Sequence, residues 1–135
     1  MKGCRVDPVA GWHAMLASND EALVLPLLAD DVVFRSPAMH QPKLGKGAAA
    51  QFLEAAQAVI GPTVRFGRVW RLEDCSAVLE FEAVVGGLDV HGADFITWND
   101  DGLITEITAM ARPFKALDVL SQAMGVALAS LSATH

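Results

Sequence analysis

Four runs of alternating apolar and polar residues fill the second half of the chain, and the turns between them are too short to leave their register free. The runs are Thr63 to Leu72, Ala77 to Val85, Leu88 to Trp98 and Leu103 to Arg112. Period-two alternation marks a half-buried strand. Glu73-Asp74, Gly86-Gly87 and Asn99-Asp100-Asp101-Gly102 supply the turns. Register decides which residues share a face, because a slip of one position turns a whole strand over. Pairing 72 with 77, 85 with 88 and 98 with 103 gathers Phe66, Leu79, Phe81, Val90, Ile96 and Ile107 on one face. Three turns agree on that face, so an antiparallel meander is expected. The opposite face mixes Arg65, Glu80, Glu82 and His91 with Val69, Val78, Phe95, Ile104 and Met110. It reads as a solvated surface that also receives a second copy, so a homodimer through this outer face of the sheet is expected.

Asp94 interrupts the apolar face, with Leu79 and Ile107 as its expected cross-strand neighbours. An unpartnered carboxyl in such a place raises its pKa and stays neutral. A perturbed acid in an apolar cleft is a candidate functional group. Gly92, two residues away, is expected to leave open space beside it. Arg68 has the same parity, and its long side chain reaches either toward Asp94 or out at the sheet's end. His40 lies in a loop after Ser36-Pro37, where it is placed to close a pocket mouth as a second proton carrier. Trp12, Phe81 and Trp98 are the expected walls. The site reading is therefore Asp94 and His40 as catalytic groups, with Trp12, Arg68, Phe81 and Trp98 against the substrate.

Helices surround the meander. Asp7-Pro8 is a helix start, followed by Val9, Trp12 and Leu16 at helical spacing. Ser18-Asn19-Asp20 ends that helix and caps a second over Glu21 to Leu28, which Pro26 should kink or break into two short pieces. Asp30-Asp31 reads as a turn, Val32 to Phe34 as a short strand and Pro37 to Lys46 as a loop. Gly47 to Ile60 carries a helical stripe closed by Gly61-Pro62, and Phe114 to about Leu131 is a last helix. One α+β domain over 1–135 is expected, with helices packed on a curved sheet.

Composition narrows the function. Ten Lys and Arg against sixteen Asp and Glu leave a net charge of −6, which does not favour nucleic acid or an anionic membrane surface. The longest uninterrupted apolar runs, Ala22 to Ala29 and Ala123 to Ala129, are short of a bilayer span. The first residues lack the apolar segment of a signal peptide. Two cysteines, Cys4 and Cys75, form no disulfide framework, so reduced thiols and a cytoplasmic location are expected. No two histidines have metal-ligand spacing, and no phosphate loop, GxGxxG or nucleophile elbow is present. No metal and no cofactor are expected. A mean hydropathy of +0.35 is high for a lone small domain and agrees with a buried subunit contact.

The local text resembles the nuclear transport factor 2-like superfamily over about residues 6 to 131. Trp12 to Asp20 looks like that family's first helix and turn, and Leu28-Ala29-Asp30-Asp31-Val32-Val33-Phe34 like its entry to the first strand. Asn99 to Ile107 is similar to its final hairpin. Ser36 to Pro42 and Leu79 to Gly87 are similar to bacterial proteins called SnoaL-like, after a polyketide cyclase. The resemblance implies a cone-shaped, cystatin-like fold with a pocket between the helices and the sheet. It also implies a small apolar ligand and isomerase-, cyclase- or hydrolase-type chemistry on a carbonyl substrate, or a non-catalytic binding or dimerisation module. In the ketosteroid isomerase branch a protonated aspartate helps form an oxyanion hole, and Asp94 matches it. The aspartate base of that branch is replaced here by Ser36, and its tyrosine by Trp12; the chain has no tyrosine. Epoxide hydrolase members use an Asp-Arg-Asp set, of which Asp94 and Arg68 supply two parts.

Overall fold

The structure, a computed structural model, describes residues 6–134, with side chains described from 6 to 131; Cys4 and His135 lie outside these limits. The Asp7 carboxylate accepts a hydrogen bond from the Val9 amide at 2.8 Å and starts helix α1, Val9–Leu16. Asp20 caps the next segment through the Ala22 amide. Pro26 breaks that segment as expected, into two 3₁₀ turns, Glu21–Leu23 and Leu25–Leu27. Strand β1, Leu28–Arg35, is longer than the expected three residues. It absorbs Asp30 and Asp31, read above as a turn, at a register shift where both point to solvent. A two-residue strand β2, Lys43–Leu44, lies in the expected loop.

Helix α2, Lys46–Val59, is followed by the meander of β3 (Arg65–Leu72), β4 (Ser76–Val85), β5 (Leu88–Trp98) and β6 (Ile104–Arg112). Helix α3, Phe114–Thr134, closes the chain. All six strands form one sheet in the order β2-β1-β6-β5-β4-β3, with β1 parallel to β6. One face packs against the helices around Trp12, Met15, Leu53, Leu79, Ile96 and Ile107.

Register holds where the turn is tightest. Gly86 and Gly87 take positive φ angles of 57° and 78°, and Val85 pairs with Leu88 as expected. The β5–β6 hairpin slides instead. Trp98 pairs with Ile104, then a bulge sets Ile96 opposite Ile107, so Asp94 faces Ala109 and not Ile107. Ile104 is thereby fully buried rather than on the outer face. The β3–β4 hairpin changes more. Leu72 pairs with Ser76 and Trp70 with Val78, and a bulge then restores the expected parity at Phe66, opposite Phe81. Between bulge and turn the strand is inverted relative to the sequence reading. Trp70 and Leu72 are exposed, and Arg68 lies on the outer face. The bulge falls at Gly67, beside the Glu80 carboxylate.

The outer face keeps its mixed character, with Phe95 and Met110 about half exposed beside the charged residues. Cys75 is disulfide-bonded, which corrects the expectation of a reduced thiol. A disulfide persists in oxidising surroundings, so the cysteines no longer argue for the cytoplasm. Helix α3 also departs from the reading by runs. Lys115, Asp118 and Gln122 interrupt it, yet Phe114–Leu131 has a mean hydropathy of 1.3 and is long and apolar enough to cross a membrane by length and composition. In this fold its Ala116 and Leu120 pack into the core and close the cone.

Gln57 is a buried polar residue that the helical pattern does not single out. It is 3% exposed, and its amide donates to the Met15 carbonyl at 2.9 Å and the Asp20 carbonyl at 3.0 Å, tying α2 to the end of α1. Gln57→Leu would remove both side-chain hydrogen bonds while the Met15 and Asp20 carbonyls keep those from the Ser18 and Leu23 amides, so the unfolding free energy should drop by about 1–3 kcal/mol, read from urea midpoints. An unchanged midpoint would show that the two lost bonds are replaced.

Candidate active site

Asp94 stands on β5 because the Gly86-Gly87 turn fixes its parity, and alternation then points its side chain between sheet and helices. Leu79 of β4 and Ala109 of β6 flank it. Only 6% of the residue is exposed. The carboxyl borders a cavity of about 390 Å³, within the usual range for small-molecule pockets. Trp12 of α1, Phe34 of β1, Phe52 of α2, Phe81 of β4 and Leu120 of α3 form much of the wall. Among the described residues that line the pocket, Asp94 is the only one that titrates near neutral pH.

Burial pushes the Asp94 carboxyl up from 3.8 to about 7, because the charged form loses its water. The indole N–H of Trp12 opposes that shift in part by favouring the carboxylate. It does not reach hydrogen-bond geometry with any group, however, and Trp12 Nε1 is buried without a partner. Asp94 is thus neutral in mildly acid solution and half ionised near pH 7, the condition under which one group both gives and takes a proton.

The other expected site residues divide. Trp12 and Phe81 line the pocket with Asp94. The Phe81 ring lies across Gly92, where an added β-carbon would meet it at 2.6 Å, so Gly92 admits the ring and does not leave open space. Space beside Asp94 comes from Ala109 and Ala111. Trp98 is 5% exposed and lies in the core, away from the cavity wall. His40 is exposed on the loop just past Met39, and the lining ends at Met39. Arg68 does not reach Asp94. Its Nε donates to Glu80 Oε1 at 3.1 Å on the outer face, and its amide donates to the same oxygen at 3.0 Å. Arg68, helped by His91 at 2.8 Å, holds Glu80 down to about 2. Ser36 lines the pocket, but its hydroxyl accepts from the Ala38 amide at 3.1 Å and shapes the loop.

A family model described as a SnoaL-like domain matches residues 9–107. The chain belongs to the SnoaL-like domain family. A solved steroid delta-isomerase from Pseudomonas aeruginosa is 36% identical, with a TM-score of 0.84 over 93% of this SnoaL-like chain and 91% of that one. A bacterial protein with a cystatin-like fold from Silicibacter pomeroyi is 34% identical, with a TM-score of 0.80 over 87% and 82%. An epoxide hydrolase/cyclase-like enzyme of salinomycin pyran ring formation shares the fold at 14% identity, with a TM-score of 0.68 over 80% and 88%. No curated protein matches significantly. These neighbours establish the cone-shaped, cystatin-like fold for the SnoaL-like chain.

Several wall residues of this SnoaL-like domain were read only as helix stripes or turn text. Phe52, Leu117, Leu120 and Met124 face the cavity because α2 and α3 dock side by side over the sheet. Helical periodicity marks an inward face, but it does not tell a packed position from one left open to a cavity.

The raised pKa of Asp94 fixes a sign for stability. The folded state holds the proton more tightly than the unfolded chain. The contribution is therefore fully present below about pH 4, shrinks as pH rises toward 7, and is gone above it. Asp94→Asn should be more stable than wild type at pH 8, and the gap should narrow as pH falls to 4. Paired urea melts across that range check this, and an Asp94→Asn variant less stable at pH 8 would show that the carboxylate is stabilised by a partner.

Proposed function

We propose that this SnoaL-like chain binds an apolar small molecule carrying one carbonyl group, and that Asp94 is the acid that holds and activates it. The single observation that carries the reading is a buried carboxyl with a pKa of about 7 in a cavity otherwise walled almost entirely by carbon. Such a cavity selects an apolar body, and a neutral carboxylic acid donates a hydrogen bond to a carbonyl oxygen. Donation toward the oxygen stabilises negative charge that develops there when a proton leaves the neighbouring carbon. The chemistry open to the site is acid-assisted enolisation with solvent water as the base: Asp94 donates to the oxygen, water takes the proton from the carbon between the carbonyl and a nearby double bond and returns one at the far end of that double bond, and Asp94 keeps its proton as the conjugated ketone forms.

A second reading is a binding site without turnover. It is favoured by the absence, among the described lining residues, of a second proton carrier beside Asp94, since Ser36 serves the loop and His40 lies outside. The 36% identical steroid delta-isomerase supports the isomerase reading and makes a steroid the natural probe.

A steroid with a 3-ketone and an unconjugated double bond tests both readings. Fluorescence titration at pH 6 should show saturable binding, weakened about tenfold in Asp94→Leu by loss of a hydrogen bond to the carbonyl. Growth of ultraviolet absorbance from the conjugated ketone would establish turnover, and binding without it would establish the second reading. No saturable binding by wild type would overturn the carbonyl-pocket proposal.

A further inference from the structure

The outer face of the sheet, on the opposite side from Asp94, carries a second hollow of about 410 Å³. Strand register builds it. Glu80 of β4, Ala93 of β5 and Met110 of β6 lie in one cross-strand row, and His91 pairs with Arg112 in the next. Ala93 is the small residue among long ones, so the surface dips there. The bulge in β3 brings Arg68 and Trp70 to the near side of the dip. Arg68 is fixed twice. Its Nε donates to Glu80 Oε1 at 3.1 Å, and its guanidinium carbon lies 5.0 Å from the centre of the Trp70 ring. Glu80 is ionised and can only accept, so His91 Nε2, at 2.8 Å, carries a proton toward its other oxygen. Arg68 and Glu80 cancel in charge. Arg112, on the far rim, is exposed, and its side chain has no ion-pair or hydrogen-bond partner among the described residues. The hollow therefore holds one uncompensated cation in a chain whose net charge is −6.

We infer that this outer hollow binds a small monocarboxylate with a flat apolar body, the carboxylate on Arg112 and the body over Ala93 between Met110 and the Arg68–Trp70 stack. The inference rests on no part of the carbonyl-pocket reading. A guanidinium fork meets a carboxylate through two parallel hydrogen bonds, and Arg112 has its donors free to make them. One uncompensated positive charge matches one negative charge. A phosphate monoester would bring nearly two to the side of an ionised Glu80 and is the poorer match. The body has apolar surface to cover, since Trp70 is 45% and Met110 55% exposed. Three strand spacings, about 14 Å, separate the β3 and β6 backbones, which leaves length for a fused pair of rings. Arg68 is already ordered by Glu80 and Trp70, so a ligand resting on it has little side-chain motion left to freeze there. The other candidate occupant of this face is a second copy of the chain, which would cover Met110 and exclude the acid.

The test uses the full chain with 2-naphthoate and its uncharged amide, 2-naphthamide, as probes. In about 20 mM salt the acid should bind about fivefold more tightly than the amide, and the gap should close in about 0.5 M salt, where an exposed ion pair is screened. Arg112→Gln should weaken the acid by the same factor and leave the amide within about twofold. Arg112 is exposed, so this variant should fold as wild type does. The place of binding is read from the indole N–H resonances. That of Trp70, assigned by its loss in Trp70→Phe, should move with the acid, while those of Trp12 and Trp98, on the other side of the sheet, stay in place. Equal affinity for the two probes, or an Arg112→Gln variant that binds the acid as wild type does, would overturn the role of Arg112 and with it the site. Movement of Trp12 in place of Trp70 would put the acid in the inner pocket and overturn the outer one. No saturable binding would do the same, and a dimeric mass by light scattering in that case would assign the face to a second copy.

Discussion

Asp94 is held out of water by three strands and by the helices that close over them, and its protonation follows from that enclosure. β4 and β6 offer it Leu79 and Ala109, neither of which supplies a side-chain hydrogen bond. A charge in such a place is costly, so the fold keeps the group neutral over a range where exposed carboxyls are ionised. The cavity, its apolar walls and the candidate chemistry all share this cause. Move Asp94 by one register position and it would face solvent at an ordinary pKa, leaving a plain apolar hole. The Gly86-Gly87 turn therefore does as much for the site as any wall residue, since it sets the parity of β5.

Legibility tracked the tightness of the turns. The β4–β5 register was readable because a two-residue loop with positive φ admits one pairing. Buried alternation along β5 then put Asp94 on the inner face without further information. Bulges were not readable. The one in β3 at Gly67 turns Trp70 outward and takes Arg68 to Glu80, and alternation alone does not show an extra residue in a strand. The β6 slide puts Ala109 beside Asp94 and buries Ile104, which improves the room for a ligand. Long-range features were also out of reach. The parallel pairing of β1 with β6 and the Gln57 tie between helices depend on contacts between distant segments, and the spacing of the cysteines does not mark the disulfide at Cys75.

Family membership and site chemistry answer different questions here. The SnoaL-like match and the 36% identical neighbour fix the family and the fold. A cone of this kind hosts more than one activity, so the reaction has to be argued from the groups that face the cavity. Those groups are few: an acid near neutrality, an indole N–H without a partner, the serines Ser36 and Ser121, and carbon around them. The outer face carries its own charged cluster, in which Glu80 is firmly ionised between Arg68 and His91. The two carboxyls, one on each side of the same sheet, are driven apart in pKa by opposite causes, burial for Asp94 and pairing for Glu80.

The central claim is that the Asp94 carboxyl is a neutral acid under mildly acidic conditions because the fold removes its water. Labelling aspartate side-chain carbonyl carbons and following their resonances against pH measures this directly, with the Asp94 signal assigned by its loss in Asp94→Asn. The account predicts a midpoint near 7 for that resonance. A midpoint at or below about 4, the value of an exposed aspartate, would contradict it.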